Sequence, residues 1–312
     1  MAKWLASNAP KGAVIGYDPK LHTEAEIKKI EAEGVTLKPC ANLIDRVWDD
    51  QPAPPQGALT LFDEGFAGLS VSEKIGRAAD AVGKAEGVAT ILTMPDSVAW
   101  LLNIRGADVK CVPYALSTMI VAADGKAHLF IDPAKLSDEV RAHLKGKVAL
   151  HKPEELESVL SSVMLEGVMK SASKPVLLDS GHAPVYYRHL VEGAGGSVKE
   201  FRDPVLGFKA IKTEAEKTAI RAAHVADGVA IVKFMDWLDR EGLNGQHSEI
   251  SVAETLESFR AEEAAFKDLS FETIAGCGPN GAIVHYRASE ETNRALESGA
   301  LLLLDSGAQY YG

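Results

Sequence analysis

The sequence is poor in several things at once. It has only three cysteines, Cys40, Cys111 and Cys277, an odd number with no paired spacing. A disulfide framework is therefore not expected, and the thiols read as free or buried in a reducing, cytoplasmic compartment. Long apolar runs are missing too. Stretches such as Leu301 to Leu304 fall far short of the roughly 20 residues that a membrane span needs. The opening residues show no basic flank followed by an apolar region, so no secretory signal is expected. Positive charge is in deficit, with 33 Lys and Arg against 44 Asp and Glu and a net charge of −11. That balance gives no general attraction to nucleic acid or anionic lipid, and neither is expected as a partner. Aromatic residues make up 6% of the chain, yet the apolar fraction of 46% is ample for packed cores, which argues against disorder.

Proline is concentrated in one place. Pro52, Pro54 and Pro55 stand in the only Pro-dense stretch, and such clustering favours a stiff, extended connection. The organisation read from the sequence is therefore residues 1–57 as a small α/β remnant with its linker, 66–203 as a complete middle α/β domain, and 204–312 as the first part of an α+β domain. In the first piece Ala13 to Tyr17 and Val35 to Lys38 read as strands around a helix from Glu24. Two strands and a helix cannot enclose a core, so this piece has to lean on something else. In the middle piece Ser70 and Glu73 form the pattern of a capping box. Pro95 suits the first turn of a helix. Asp124-Gly125 between Thr118–Ala122 and Ala127–Ile131 signals a hairpin. Helices are expected over Pro133–Leu144, Pro153–Met164 and Pro184–Val191. After Asp203-Pro204 the pattern lengthens into a helix over Thr213–Arg240, capped by Thr213 and Glu216. Ile220, His224, Val225, Val229, Val232 and Leu238 recur at helical spacing and are expected to face a core. A second helix begins at Ser248, and Leu269–Ile274, Ile283–Arg287 and Leu301–Asp305 read as strands.

Chemistry-bearing patterns are few. Gly276, Gly278 and Gly281 satisfy G-x-G-x-x-G after a strand, with Asp305 closing a later apolar strand. A dinucleotide site needs the third glycine to open a helix whose N-terminus holds the pyrophosphate. Ala282 to Tyr286 has no helical face, so a nicotinamide-cofactor oxidoreductase is disfavoured and a glycine-rich turn is expected. By residue type alone, His285 reads as a hydrogen-bonded strand histidine and Asp305 as the Asp that initiates a turn before Ser306-Gly307. The same Asp-Ser-Gly recurs at Asp179. His182 and His189 read as surface residues. No H-E-x-x-H, C-x-x-C or G-x-S-x-G motif occurs.

Several segments together resemble the aminopeptidase P group of the creatinase/prolidase, or pita-bread, metallopeptidases. They are Gly16–Thr23, Pro95–Val109, Lys212–Glu216, Leu269–Ile274, Gly278–Arg287 and Leu304–Tyr310, in order along essentially the whole chain. The resemblance implies creatinase N-terminal-like α/β structure followed by the first part of an α+β pita-bread domain. It implies release of the N-terminal residue from peptides with proline second, by a centre of two divalent ions, usually Mn2+, and homodimers through the catalytic domain. Carried over by position, Asp305 is the first metal-binding aspartate and His285 the catalytic, substrate-contacting histidine. The family's second aspartate, its histidine and its two glutamates correspond to positions past Gly312. The resemblance therefore implies an internal piece of a protein about twice as long, which binds metal weakly and is inactive alone. A different reading is a pita-bread module that binds peptide or protein and has lost its metals. Arg105 is read as paired with a surface acid, with contact to a peptide carboxylate as the alternative.

Overall fold

A computed structural model describes residues 1–170, 174–242 and 244–311. The elements, in chain order, begin with α1 (Ala2–Asn8), β1 (Val14–Tyr17), α2 (Glu24–Glu31), β2 (Thr36–Pro39), β3 (Thr60–Leu61) and α3 (Glu64–Ala67). There follow α4 (Val71–Lys84), β4 (Ala89–Leu92), α5 (Pro95–Leu102), β5 (Ile104–Arg105), β6 (Thr118–Ala122) and β7 (Ala127–Phe130). Next come α6 (Asp138–Leu144), β8 (Ala149–His151), α7 (Leu156–Lys170), β9 (Val176–Leu178), α8 (Val185–Gly193), β10 (Val198–Glu200) and α9 (Pro204–Ala210). The remainder holds α10 (Glu214–Arg240), α11 (Glu249–Ala261), β11 (Phe266–Leu269), β12 (Ile274–Cys277), β13 (Leu302–Asp305) and β14 (Ala308–Tyr310). These elements form two compact units: residues 1–61, 69–108 and 113–211 in one, and 62–68, 109–112 and 212–312 in the other.

The first unit is built on a six-stranded mixed sheet, ordered β10-β9-β4-β6-β7-β8. Alternation along its strands sends side chains to two cores. Leu92, Val121 and Leu129 pack on one face with Val71 and Ile75 of α4, Leu101 of α5 and Val140 of α6. Ile91, Ile120 and Phe130 pack on the other with Leu160 and Val163 of α7 and Val191 of α8. Period-2 strands clothed by helices on both faces give an α/β sandwich. The hairpin β6–β7 runs in register from Thr118 opposite Phe130, and Gly125 in its turn has φ +87°. The capping box at Ser70 and Glu73 forms as expected, and Pro95 occupies the first turn of α5. The N-terminal strands β1 and β2 pair parallel and pack with α1 and α2, and the segment between β1 and α2 contacts α8. His22 O accepts from Val185 N at 2.8 Å, and the buried carboxylate of Glu24 accepts from Arg188 Nε at 2.7 Å.

In the second unit α10 and α11 pack beside two antiparallel strand pairs, β12–β13 and β11–β14. Phe234 of α10, Val252 and Leu256 of α11, Ala275 of β12 and Leu296 make its core. Three expectations are corrected. Of the stripe on α10, Leu238 does pack against the Phe234 cluster, but Val225, Val229 and Val232 are 69%, 52% and 67% exposed, and the helix buries Ala219, Ala230 and Phe234. The helix expected from Pro133 is split into a 3₁₀ turn over Pro133–Lys135 and α6, which starts afresh on the Ser137 cap. Residues 283–287 form no strand; they make a turn. By residue type Gly242-Leu243-Asn244-Gly245 reads as a turn between the two helices, and Leu243 within it lies outside the described residues.

Candidate active site

Asp305 ends β13, opposite Ile274 of β12 in the antiparallel ladder. The strand is apolar toward the core, with Leu302 and Leu304 packed against the Phe234 cluster. The period of two then turns Asp305 out, and its side chain is exposed. The turn expected at Asp305-Ser306-Gly307 does not form: Ser306 and Gly307 make neither a turn nor a bend between β13 and β14. A Cβ on Gly307 would lie 2.2 Å from Ser270 Oγ, so a larger residue there would displace the Ser270 side chain. The two Asp-Ser-Gly segments of the sequence are chemically different. Asp179 is saturated: its carboxylate accepts from Asp203 N, Gly181 N and His182 Nδ1, each at 3.0 Å. Burial pushes the Asp179 carboxyl up, but these donors outweigh it and hold the group below its ordinary range. The Asp305 carboxylate has no hydrogen-bond or ion-pair partner among the described residues. It is the member of the pair left available for a ligand.

His285 follows a 3₁₀ turn over Gly278–Ala282 and is exposed, with its backbone in the left-handed region at φ +55°. The alternation of Ile283-Val284-His285-Tyr286 reads as a strand, but backbone geometry upstream overrides it. Gly278 also has positive φ (+57°), and the turn folds back so closely on β12 that a Cβ on Gly276 would meet Gly281 N at 2.8 Å. The glycine pattern thus serves a close backbone approach, and no α-helix opens at Gly281. A non-glycine residue at positive φ is uncommon and costs about 1 kcal/mol or more, so surrounding contacts must hold it. The imidazole itself has no hydrogen-bond partner among the described residues. Nor does any contact join it to Asp305.

Two ionised residues that sequence reasoning passed over hold these segments. Helix α11 buries a stripe of Glu249, Val252, Leu256 and Arg260, all 0% exposed. Glu249 accepts from Cys277 N (2.6 Å), Tyr286 Oη (2.7 Å), Asn280 Nδ2 (3.0 Å) and Arg294 N (3.1 Å). Burial raises its pKa, yet these four donors prevail and leave the carboxyl below the usual range. At the other end of the stripe, Arg260 Nε donates to Asp227 Oδ1 at 2.8 Å and Nη2 donates to Ser306 Oγ at 3.2 Å. Tyr310 Oη also donates to Asp227 Oδ1, at 2.9 Å. Charged residues at the two ends of an i, i+3, i+7, i+11 apolar stripe were the available sequence signal.

The donor set does not fit a two-ion centre. Among the described residues no group of three or more His, Cys, Asp or Glu side chains is arranged to hold a metal ion. One exposed carboxylate cannot bridge two cations, which require several oxygen or nitrogen ligands each. Arg105 Nη1 donates to the Ile104 carbonyl at 2.9 Å. The three cysteines are free, with Cys111 and Cys277 buried. Among the described residues no helix is long and apolar enough to cross a membrane.

Known proteins agree with this architecture. Residues 50–216 match the model of the Creatinase/Prolidase N-terminal domain, and residues 218–312 match that of Metallopeptidase family M24. A probable Xaa-Pro aminopeptidase P from Coccidioides posadasii is 35% identical over 323 residues, covering 99% of this chain and 52% of that protein. The Neosartorya fischeri protein of the same description is 34% identical over 319 residues, covering 99% and 48%. The X-prolyl aminopeptidase from Caenorhabditis elegans, a cytosolic enzyme with a di-nuclear active site, has a TM-score of 0.90 at 31% identity, covering 99% of this chain and 51% of that one. The Xaa-Pro dipeptidase from Bacillus anthracis, at 19% identity and a TM-score of 0.58 over 78% of this chain and 62% of that one, shares the fold. The chain spans about half the length of the curated relatives it matches. With an α/β creatinase-type domain followed by M24 sequence of the pita-bread type, the chain belongs to the creatinase/prolidase metallopeptidase family.

Proposed function

We propose that the chain is part of a Xaa-Pro aminopeptidase, a hydrolase that releases the first residue of peptides with proline second, and that alone it does not catalyse this reaction. The supporting observation is the similarity over 99% of the chain to proteins described as probable Xaa-Pro aminopeptidase P. In this reading His285 contacts the peptide near the scissile bond. Its ring is exposed and uncommitted, as a group that hydrogen-bonds substrate must be. Asp305 supplies one carboxylate to a metal site, also from an exposed and uncommitted position. A two-ion centre, with manganese as the ion, needs ligands that the described residues do not bring together. A cytosolic setting and self-association in the manner of homodimers are part of the same proposal.

Titration calorimetry with manganese tests the metal part. Weak binding of at most one ion per chain is expected, abolished by Asp305→Asn. Saturable, tight binding of two ions per chain would sink the assignment. For the histidine, a Xaa-Pro-Xaa tripeptide should shift the imidazole resonances of His285 at millimolar concentration. Identical spectra with and without peptide would remove His285 from the substrate site.

A further inference from the structure

The His285 turn is closed by one backbone hydrogen bond, from Tyr286 N to Ile283 O at 3.2 Å, and its imidazole has no partner of its own among the described residues. It is exposed, carries a strained non-glycine φ, and sits among exposed Ile283 and Val284. What fixes it lies underneath. Tyr286, its neighbour in the chain, is 6% exposed and donates its hydroxyl to Glu249 Oε2 at 2.7 Å. Asn280, in the preceding 3₁₀ turn, donates to the same carboxylate and also to Tyr286 Oη at 2.8 Å. Cys277 N, at the end of β12, donates to the other oxygen, Oε1, at 2.6 Å. The two oxygens of one buried anion therefore clamp the chain before the turn, within it and immediately after His285. Hydrogen bonds to an ionised acceptor are the strong kind, and burial removes the competing water.

We propose that Glu249 is a positioning residue for His285, acting through Asn280 and Tyr286 to hold the imidazole outward in its left-handed turn. The functional value of that placement rests on the reading of His285 as a substrate-contacting group. The placement itself does not, so the two can fail separately. Glu249 has no direct contact with the imidazole, and its charge is spent on four donors from other segments. The substitution that tests this is Glu249→Gln, which keeps the shape and turns one acceptor oxygen into a donor. Two backbone donors on opposite oxygens, Cys277 N on Oε1 and Arg294 N on Oε2, cannot both be satisfied by the amide.

The measurement is imidazole NMR on the 312-residue protein with labelled histidine, the His285 signal being assigned by its loss in His285→Gln. In Glu249→Gln the His285 signal should move and broaden, while those of His128 and His151 in the other unit stay in place. Tyr286→Phe removes a single oxygen and should produce the same change to a smaller degree, which keeps the test open if the Glu249 variant does not fold. An unmoved His285 signal in a folded variant of either kind would overturn the proposal. A moved signal accompanied by unchanged tripeptide response would uphold the positioning role and instead count against the substrate role of His285.

Discussion

Arg260 and Asp227 form one ion pair with unequal surroundings, since their side chains are 1% and 27% exposed. The inequality makes their substitutions unequal. Asp227→Ala strands a guanidinium in the core and should cost about 3–5 kcal/mol, the usual price of breaking a buried pair. Arg260→Met leaves a carboxylate that water can reach, and should cost clearly less. Urea unfolding of the two variants checks the order, and a costlier Arg260→Met would contradict it. The same cluster sets an alkaline limit. Burial, and then the Asp227 carboxylate that accepts its hydroxyl, push the Tyr310 pKa up to about 12 from an ordinary 10.0. A raised folded pKa means that the stabilisation is fully present below pH 10 and is lost as pH rises from 10 towards 12. Tyr310→Phe should therefore lose less stability over that interval than the unmodified protein, and equal slopes would argue against the Tyr310–Asp227 link. At this scale the sequence was only partly readable. Asp305 and His285 could be named by resemblance, because both stand in distinctive segments. Glu249 and Arg260 could not, since a charged residue near a helix end is ordinarily a solvated one. Which of the two Asp-Ser-Gly carboxylates is spare also depends on donors distant in sequence, such as Asp203 N.

Elements with local punctuation were the readable ones. The caps at Ser70 and Thr213, the proline opening α5, and the Asp-Gly turn of the β6–β7 hairpin all act within a few residues, so they survive any tertiary context. Faces were less legible than elements. A 27-residue helix such as α10 carries apolar residues on more than one side, and period alone does not say which side is covered. The exposed Val225, Val229 and Val232 separate the two cases experimentally. Val229→Ala should change stability by less than about 0.5 kcal/mol, as surface positions do. Phe234→Ala, on the buried face, should cost about 3–5 kcal/mol. Thermal unfolding of both variants compares them directly, and a large loss at Val229 would return that stripe to a core. Residues 283–287 show the converse failure. Their alternation is that of a strand, but Gly278 at positive φ and the close approach of Gly276 to Gly281 commit the chain to a turn before alternation can act.

At the scale of the molecule, the chain joins a well-covered α/β sandwich to a unit whose sheets are strand pairs only. Strand pairings distant in sequence, such as β4 with β9, complete the first sheet, while Leu301, Val284 and Val225, Val229 and Val232 of α10 in the second unit stand in water. The net charge of −11 opposes association with nucleic acid while doing little to mask those apolar patches. Family membership assigns the chemistry to be looked for, and the donor set decides whether this chain can perform it. The Asp305 carboxylate and the His285 imidazole are both exposed and without a hydrogen-bond partner among the described residues, while buried ions of α11 bond their chain neighbours, Ser306 and Tyr286. The decisive measurement is release of the N-terminal residue from a Xaa-Pro peptide by the purified 312-residue chain with manganese added. No release above the metal-only control is expected. Turnover that disappears on Asp305→Asn or on chelation would show that the chain assembles a working centre, and would contradict this account.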